Sequence, residues 1–143
     1  MQITAQPARR KRILLVEDEL AVRESLRLLL LRDEYTVVEA NNGAEAFALF
    51  CGGNFDLVVT DFEMPFVKGN ELAARIKQVA PQLPILMITA YGHRPHRENP
   101  VNTVLQKPFD TARFREVLAE LLNQRGEGAV SVSTRFSPSL VRQ

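Results

Sequence analysis

The chain has 143 residues, and its 18 lysines and arginines against 17 acids leave a formal net charge of +1. One domain with a single sizeable core fits that length, and the near balance of charge removes any global electrostatic case for direct nucleic-acid binding or for an anionic membrane. The single cysteine, Cys51, excludes an internal disulfide and suits a reducing cytosol, while its place near a helix end predicts a small buried apolar side chain.

Residues 1–10 contain no apolar leader segment and read as an N-terminal arm, with Arg9-Arg10-Lys11-Arg12 as a solvated basic stretch before the first strand. No window approaches the length of a membrane span, so a soluble, cytoplasmic chain is expected. Residues 12–16 are a β-forming apolar run. Val22, Leu26, Leu29 and Leu30 then repeat at helical spacing, with Arg23, Glu24 and Arg27 on the opposite, polar face. Residues 35–39 supply a second strand, and Asn41-Asn42-Gly43 opens a helix over 44–50 that Gly52-Gly53 ends. A third strand over 55–60 precedes a helix over 70–79, with Leu72, Ile76 and Val79 expected to face inward. Pro81 and Pro84 bracket the turn into a fourth strand ending at Ile88, and residues 101–105 form a fifth. Asp110 is placed to cap the last helix, Phe114, Val117, Leu118, Leu121 and Leu122 form its buried stripe, and Gly126 is expected to stop it. Residues 126–143 lack a helical period and read as a flexible tail or linker stump.

Asp18, Asp61, Thr89 and Lys107 each stand just after one of these apolar runs. In an open parallel α/β sheet the ligand crevice lies at the carboxyl ends of the strands, so two acids, a hydroxyl and an ammonium would meet there. That set suits phosphoryl transfer to a carboxylate, which needs an in-line nucleophile, neutralisation of the phosphoryl oxygens and good positioning. Asp61 is the candidate nucleophile.

The acidic pair Glu17-Asp18, the loop Asp61-Phe62-Glu63-Met64-Pro65-Phe66-Val67-Lys68-Gly69, the strand end Ile88-Thr89-Ala90 and the tripeptide Lys107-Pro108-Phe109 follow one another in a fixed order. Over residues 11–125 this pattern resembles the response-regulator receiver domain of two-component signalling. The resemblance implies an α/β fold, a doubly wound five-stranded parallel sheet of the (βα)5 flavodoxin-like kind. It implies phosphorylation of Asp61 by a histidine kinase or histidine phosphotransfer protein, and output through a downstream protein partner. Such a domain is not an enzyme beyond catalysing its own phosphoryl transfer and dephosphorylation. Magnesium, with manganese as a substitute, would be held directly by Asp18 and Asp61, through a water by Glu17, and by the backbone carbonyl of Glu63. Lys107 and the Thr89 hydroxyl would bind phosphoryl oxygens, and Lys107-Pro108 resembles the family's cis peptide.

Two features depart from the pattern. Val104 stands where receivers usually carry an aromatic switch residue, leaving Tyr91 and Glu63 as the positions flanking the site. Residues 91–100, with Pro95, Pro100, Gly92 and no apolar face, predict a loop where the family's fourth helix belongs, so that helix is shortened or absent. A homodimer would then use a non-standard face. His93 and His96 read as loop histidines rather than metal ligands. Three competing readings remain: a pseudo-receiver that binds protein independently of phosphorylation, a haloacid-dehalogenase-like phosphohydrolase, and a flavodoxin. The second wants an aspartate where Glu63 stands, and the third is opposed by the acidic first loop.

Overall fold

The computed structural model describes residues 9–90 and 102–127. The continuous apolar runs form inner strands of a parallel sheet, where both strand faces are covered and alternation is unnecessary. Strands β1 (Arg12–Val16), β2 (Thr36–Ala40), β3 (Leu57–Asp61), β4 (Ile85–Thr89) and β5 (Thr103–Gln106) lie in the order β2-β1-β3-β4-β5. All pairings are parallel. β3 and β4 are buried throughout, whereas the edge strands β2 and β5 are only partly covered.

Helices α1 (Leu20–Arg32) and α4 (Thr111–Glu127) cover one face, and α2 (Gly43–Cys51) and α3 (Gly69–Val79) the other. Alternate residues of β1 serve the two layers. Ile13 and Leu15 pack with Leu26, Leu30, Phe114 and Leu118, while Leu14 and Val16 pack with Ala46, Phe50, Leu72 and Ile76. The whole expected stripe of α4 is buried, and the Asp110 carboxylate accepts from the Arg113 amide at 2.7 Å. Asn42 caps α2 by accepting from the Glu45 amide at 2.8 Å, and the Glu45 carboxylate accepts from the Asn41 amide in return.

Several local expectations change. Val79 is 63% exposed, because the buried face of α3 consists of Leu72, Ala73 and Ile76, and Leu83 closes the core beyond it. Cys51 is exposed: Ala46 and Phe50 take the inward positions of α2, which turns the next residue away from the sheet. Gly126 lies within α4 rather than ending it, since one glycine costs a helix only about 1 kcal/mol and forbids nothing. The basic stretch is partly neutralised, with Arg9 3.5 Å from the Asp56 carboxylate and the Arg12 amide donating to Asp56 at 2.8 Å. The loop expected in place of the fourth helix, with Tyr91, His93 and His96, lies outside the described residues, as does most of the expected tail.

Candidate functional site

Parallel strands end on the same side, and their register decides which residues share that edge. Val16 pairs with Thr60, Asp61 with Ile88, and Thr89 with Gln106. Backbone bonds continue each ladder by one step: Glu17 N to Ala40 O at 3.1 Å, Phe62 N to Ile88 O at 2.8 Å, and Lys107 N to Thr89 O at 2.7 Å. Glu17-Asp18, Asp61, Thr89 and Lys107 therefore all stand at the carboxyl edge.

Glu17, Asp18 and Asp61 each offer a carboxylate oxygen within 4.8 Å of the others. Glu17 and Asp61 are buried, and Asp18 is exposed. Burial, followed by the charge of Asp61, pushes the Glu17 carboxyl up from its ordinary 4.5 to about 7, against the pull of the Glu19 amide that donates to it. Burial also raises Asp61, opposed by Lys107, whose ammonium stands 3.4 Å from its Oδ1. One ammonium beside three clustered carboxylates leaves an excess of negative charge, which a hard divalent cation would relieve. The Thr89 hydroxyl is fully buried and has no hydrogen-bond partner among the described residues. Its oxygen is a donor awaiting an acceptor.

The remaining expected positions are more peripheral. Glu63 is exposed, its carboxylate 3.8 Å from the Lys68 ammonium, so its side chain is not one of the three clustered acids. Val104 is half-buried in β5 opposite Met87, and Pro108 follows Lys107 through a cis peptide bond. Two contributors escaped the sequence reading. Arg23, assigned there to the polar face of α1, donates to the Glu17 carbonyl at 2.8 Å, to Asn41 at 3.2 Å and to Glu39 at 3.0 Å, and so fixes the backbone that carries the acids. Gly69 crosses so close to the end of β3 that any Cβ there would overlap the Asp61 carbonyl oxygen. The only sequence signal was a glycine closing the loop after Asp61.

A family model described as the response regulator receiver domain matches residues 13–125. The chain belongs to that family. This receiver domain is 36% identical over 134 residues to the response regulator MprA of Mycobacterium ulcerans, covering 88% of this chain and 58% of MprA. It is 36% identical to the response regulator protein PilR of Pseudomonas aeruginosa, covering 84% of this chain and 28% of PilR, so the receiver spans only part of these relatives' length. Among solved structures, the response regulator protein TrrA of Thermotoga maritima, in complex with Mg(2+)-BeF, is 35% identical with a TM-score of 0.74, over 78% of this chain and 98% of TrrA. A putative response regulator from Chloroflexus aurantiacus matches at 30% identity and a TM-score of 0.76, over 80% and 99% of the two chains. The chain is thus a response-regulator receiver of two-component signalling, a signalling domain rather than a typical enzyme. No helix among the described residues is long and apolar enough to cross a membrane.

Proposed function

We propose that this receiver accepts a phosphoryl group on Asp61 from a histidine kinase or histidine phosphotransfer protein, in a magnesium-dependent reaction in the cytoplasm, and signals by changing its affinity for a protein partner. The observation that carries this is the meeting of the buried Asp61 with the Lys107 ammonium at 3.4 Å and with two further carboxylates, beside a buried Thr89 hydroxyl that has no acceptor among the described residues.

The donor set fits a magnesium ion, which takes oxygen ligands and commonly uses one or two carboxylates together with phosphate oxygens and water. Asp18 and Asp61, Glu17 and the Glu63 carbonyl would hold it, and manganese could replace it. When bound, the ion supplies neutralisation of the phosphoryl oxygens. That TrrA is solved in complex with Mg(2+)-BeF supports the assignment. An Asp61 carboxylate oxygen forms the new bond to phosphorus as the phosphorus–nitrogen bond of the donor histidine breaks, and the imidazole keeps the electron pair. Lys107 holds one phosphoryl oxygen by charge, and the Thr89 hydroxyl donates to another once the group is attached.

Residues 11–125 act as the receiver unit between the arm and the tail. Leu20, Leu28 and Leu31 are exposed along α1, which begins beside the acidic pair, and they offer an apolar surface for a partner or a second copy. Since Val104 cannot swing as a ring would, Thr89, with Tyr91 beyond it, carries the phosphorylation signal. Val104 and the expected loss of the fourth helix favour a phosphorylation-independent binding module, but the meeting of Glu17, Asp18, Asp61 and Lys107 at one edge supports the phosphoacceptor reading instead.

Acetyl phosphate with magnesium should add one hydroxylamine-labile phosphoryl group, read by intact mass. Asp61→Asn should take up none. Undiminished labelling of that variant, or an unlabelled wild type under conditions where a control receiver reacts, overturns the proposal.

A further inference from the structure

Phe66 combines two features that folding alone opposes. The residue is 87% exposed, and its backbone takes φ 69°, a left-handed conformation that bulky side chains rarely adopt. The loop that carries it is not loose. Gly69 N donates to Phe62 O at 3.1 Å, closing the loop at its root beside Asp61, and Met64 is buried in the core beneath it. Val67 lies against Gly43 so closely that a Cβ on that glycine would come within 2.5 Å of the Val67 carbonyl oxygen. With Met64 and Val67 held on either side, the backbone at Phe66 is fixed and turns its side chain to solvent five residues after the phosphoacceptor.

We infer that Phe66 is a specificity-determining anchor for the protein that brings the phosphohistidine to Asp61, a role that rests on the phosphoacceptor reading above. Asp61 is only 6% exposed and lies at the root of this loop. A donor imidazole attached to a folded protein can reach it only if that protein covers the mouth of the site, and the loop with it. Covering an exposed aromatic carried on a held backbone gains apolar burial without the cost of ordering the loop, the usual character of an interface hot spot. A small phosphodonor needs no such cover. Phe66 therefore distinguishes protein donors from small ones while leaving the transfer chemistry to Asp61, Thr89 and Lys107.

The test uses a panel of purified histidine-kinase catalytic domains radiolabelled on their histidines, taking the one that transfers fastest to the wild-type chain, with acetyl phosphate as the second donor. Phe66→Asn suits the left-handed backbone and keeps the fold, and Phe66→Tyr keeps the ring. Expected for Phe66→Asn is a loss of about tenfold or more in kcat/KM for the kinase, with Phe66→Tyr within about threefold of wild type. Acetyl phosphate should label all three within about twofold, because its approach needs no protein contact. Equal kinase rates for all variants overturn the inference, as does a parallel loss with acetyl phosphate. It is equally overturned if no kinase in the panel phosphorylates a wild type that acetyl phosphate does label, or if Phe66→Asn abolishes a wild-type dimer in sedimentation while leaving kinase transfer unchanged. Failure of acetyl phosphate to label wild-type Asp61 is a different result: it removes the phosphoacceptor reading itself.

Discussion

An unsatisfied buried hydroxyl destabilises a folded domain by about 1–3 kcal/mol, and Thr89, at the carboxyl end of β4, carries a buried hydroxyl with no partner among the described residues. Replacing it with valine, which keeps the β-branched shape, should stabilise the unphosphorylated receiver by about 1 kcal/mol in urea denaturation. The same variant should lose most of the amide chemical-shift response to beryllofluoride and magnesium, since the missing hydroxyl can no longer bind a phosphoryl-like oxygen. Destabilisation by Thr89→Val would mean that the hydroxyl has a partner in the resting state. The four chemical residues were legible because each ends an apolar run, a local signal. Arg23 was not, because two of its acceptors, Glu39 and Asn41, come beside it only when β2 lies next to β1, and no local pattern encodes strand order.

At the scale of elements, the start of α3 is pressed against the end of β3, and Gly69 permits the approach. A methyl group there would overlap the Asp61 carbonyl oxygen and stand 2.9 Å from the Phe62 Cα, both backbone atoms with little room to yield. Gly69→Ala is expected to destabilise the domain by about 2 kcal/mol or more and to slow acetyl-phosphate labelling, because the backbone that must shift is that of Asp61, the proposed nucleophile. Chemical denaturation and labelling kinetics measure the two effects, and a neutral result in both would contradict the close approach. Phe114→Ala, in the fully buried stripe of α4, should cost about 3–5 kcal/mol in the same denaturation assay without touching the site directly. The periodicity of α4 named its buried residues because one helix face meets the core over its whole length. Val79 was misread because it stands in the last turn of α3, where Leu83 takes over the core, and Cys51 because Ala46 and Phe50 hold the inward positions of α2 and leave the next residue outward.

Three acids of the molecule, Glu17, Asp18 and Asp61, meet at one edge of the sheet, so its stability should respond jointly to protons and to metal. Strand runs and helix periods established the α/β class, but the convergence of residues nearly ninety positions apart rests on the order β2-β1-β3-β4-β5, which only the family resemblance implied. The consequence for pH follows from Glu17, whose carboxyl is raised in the fold from 4.5 to about 7, first by burial and then by Asp61. Between those values the folded chain holds a proton that the unfolded chain has released, so without metal its stability falls as pH rises from about 4.5 towards 7 and levels off above that. Asp61, raised by burial in the same direction, contributes a fall of the same sign, and the two carboxyls titrate as a coupled pair. Magnesium requires the ionised carboxylates and so competes with the proton. Thermal unfolding in EDTA should show a lower Tm at pH 8, above the titration, than at pH 5.5, within it, whereas the gain on adding magnesium should be small at pH 5.5 and large at pH 8. Asp18→Ala should weaken the magnesium gain but leave the downward slope in EDTA, because burial and Asp61 precede Asp18 among the causes that raise Glu17. A magnesium gain equal at both pH values, or an EDTA stability that rises across the interval, would show that Glu17 does not share its charge with the metal site.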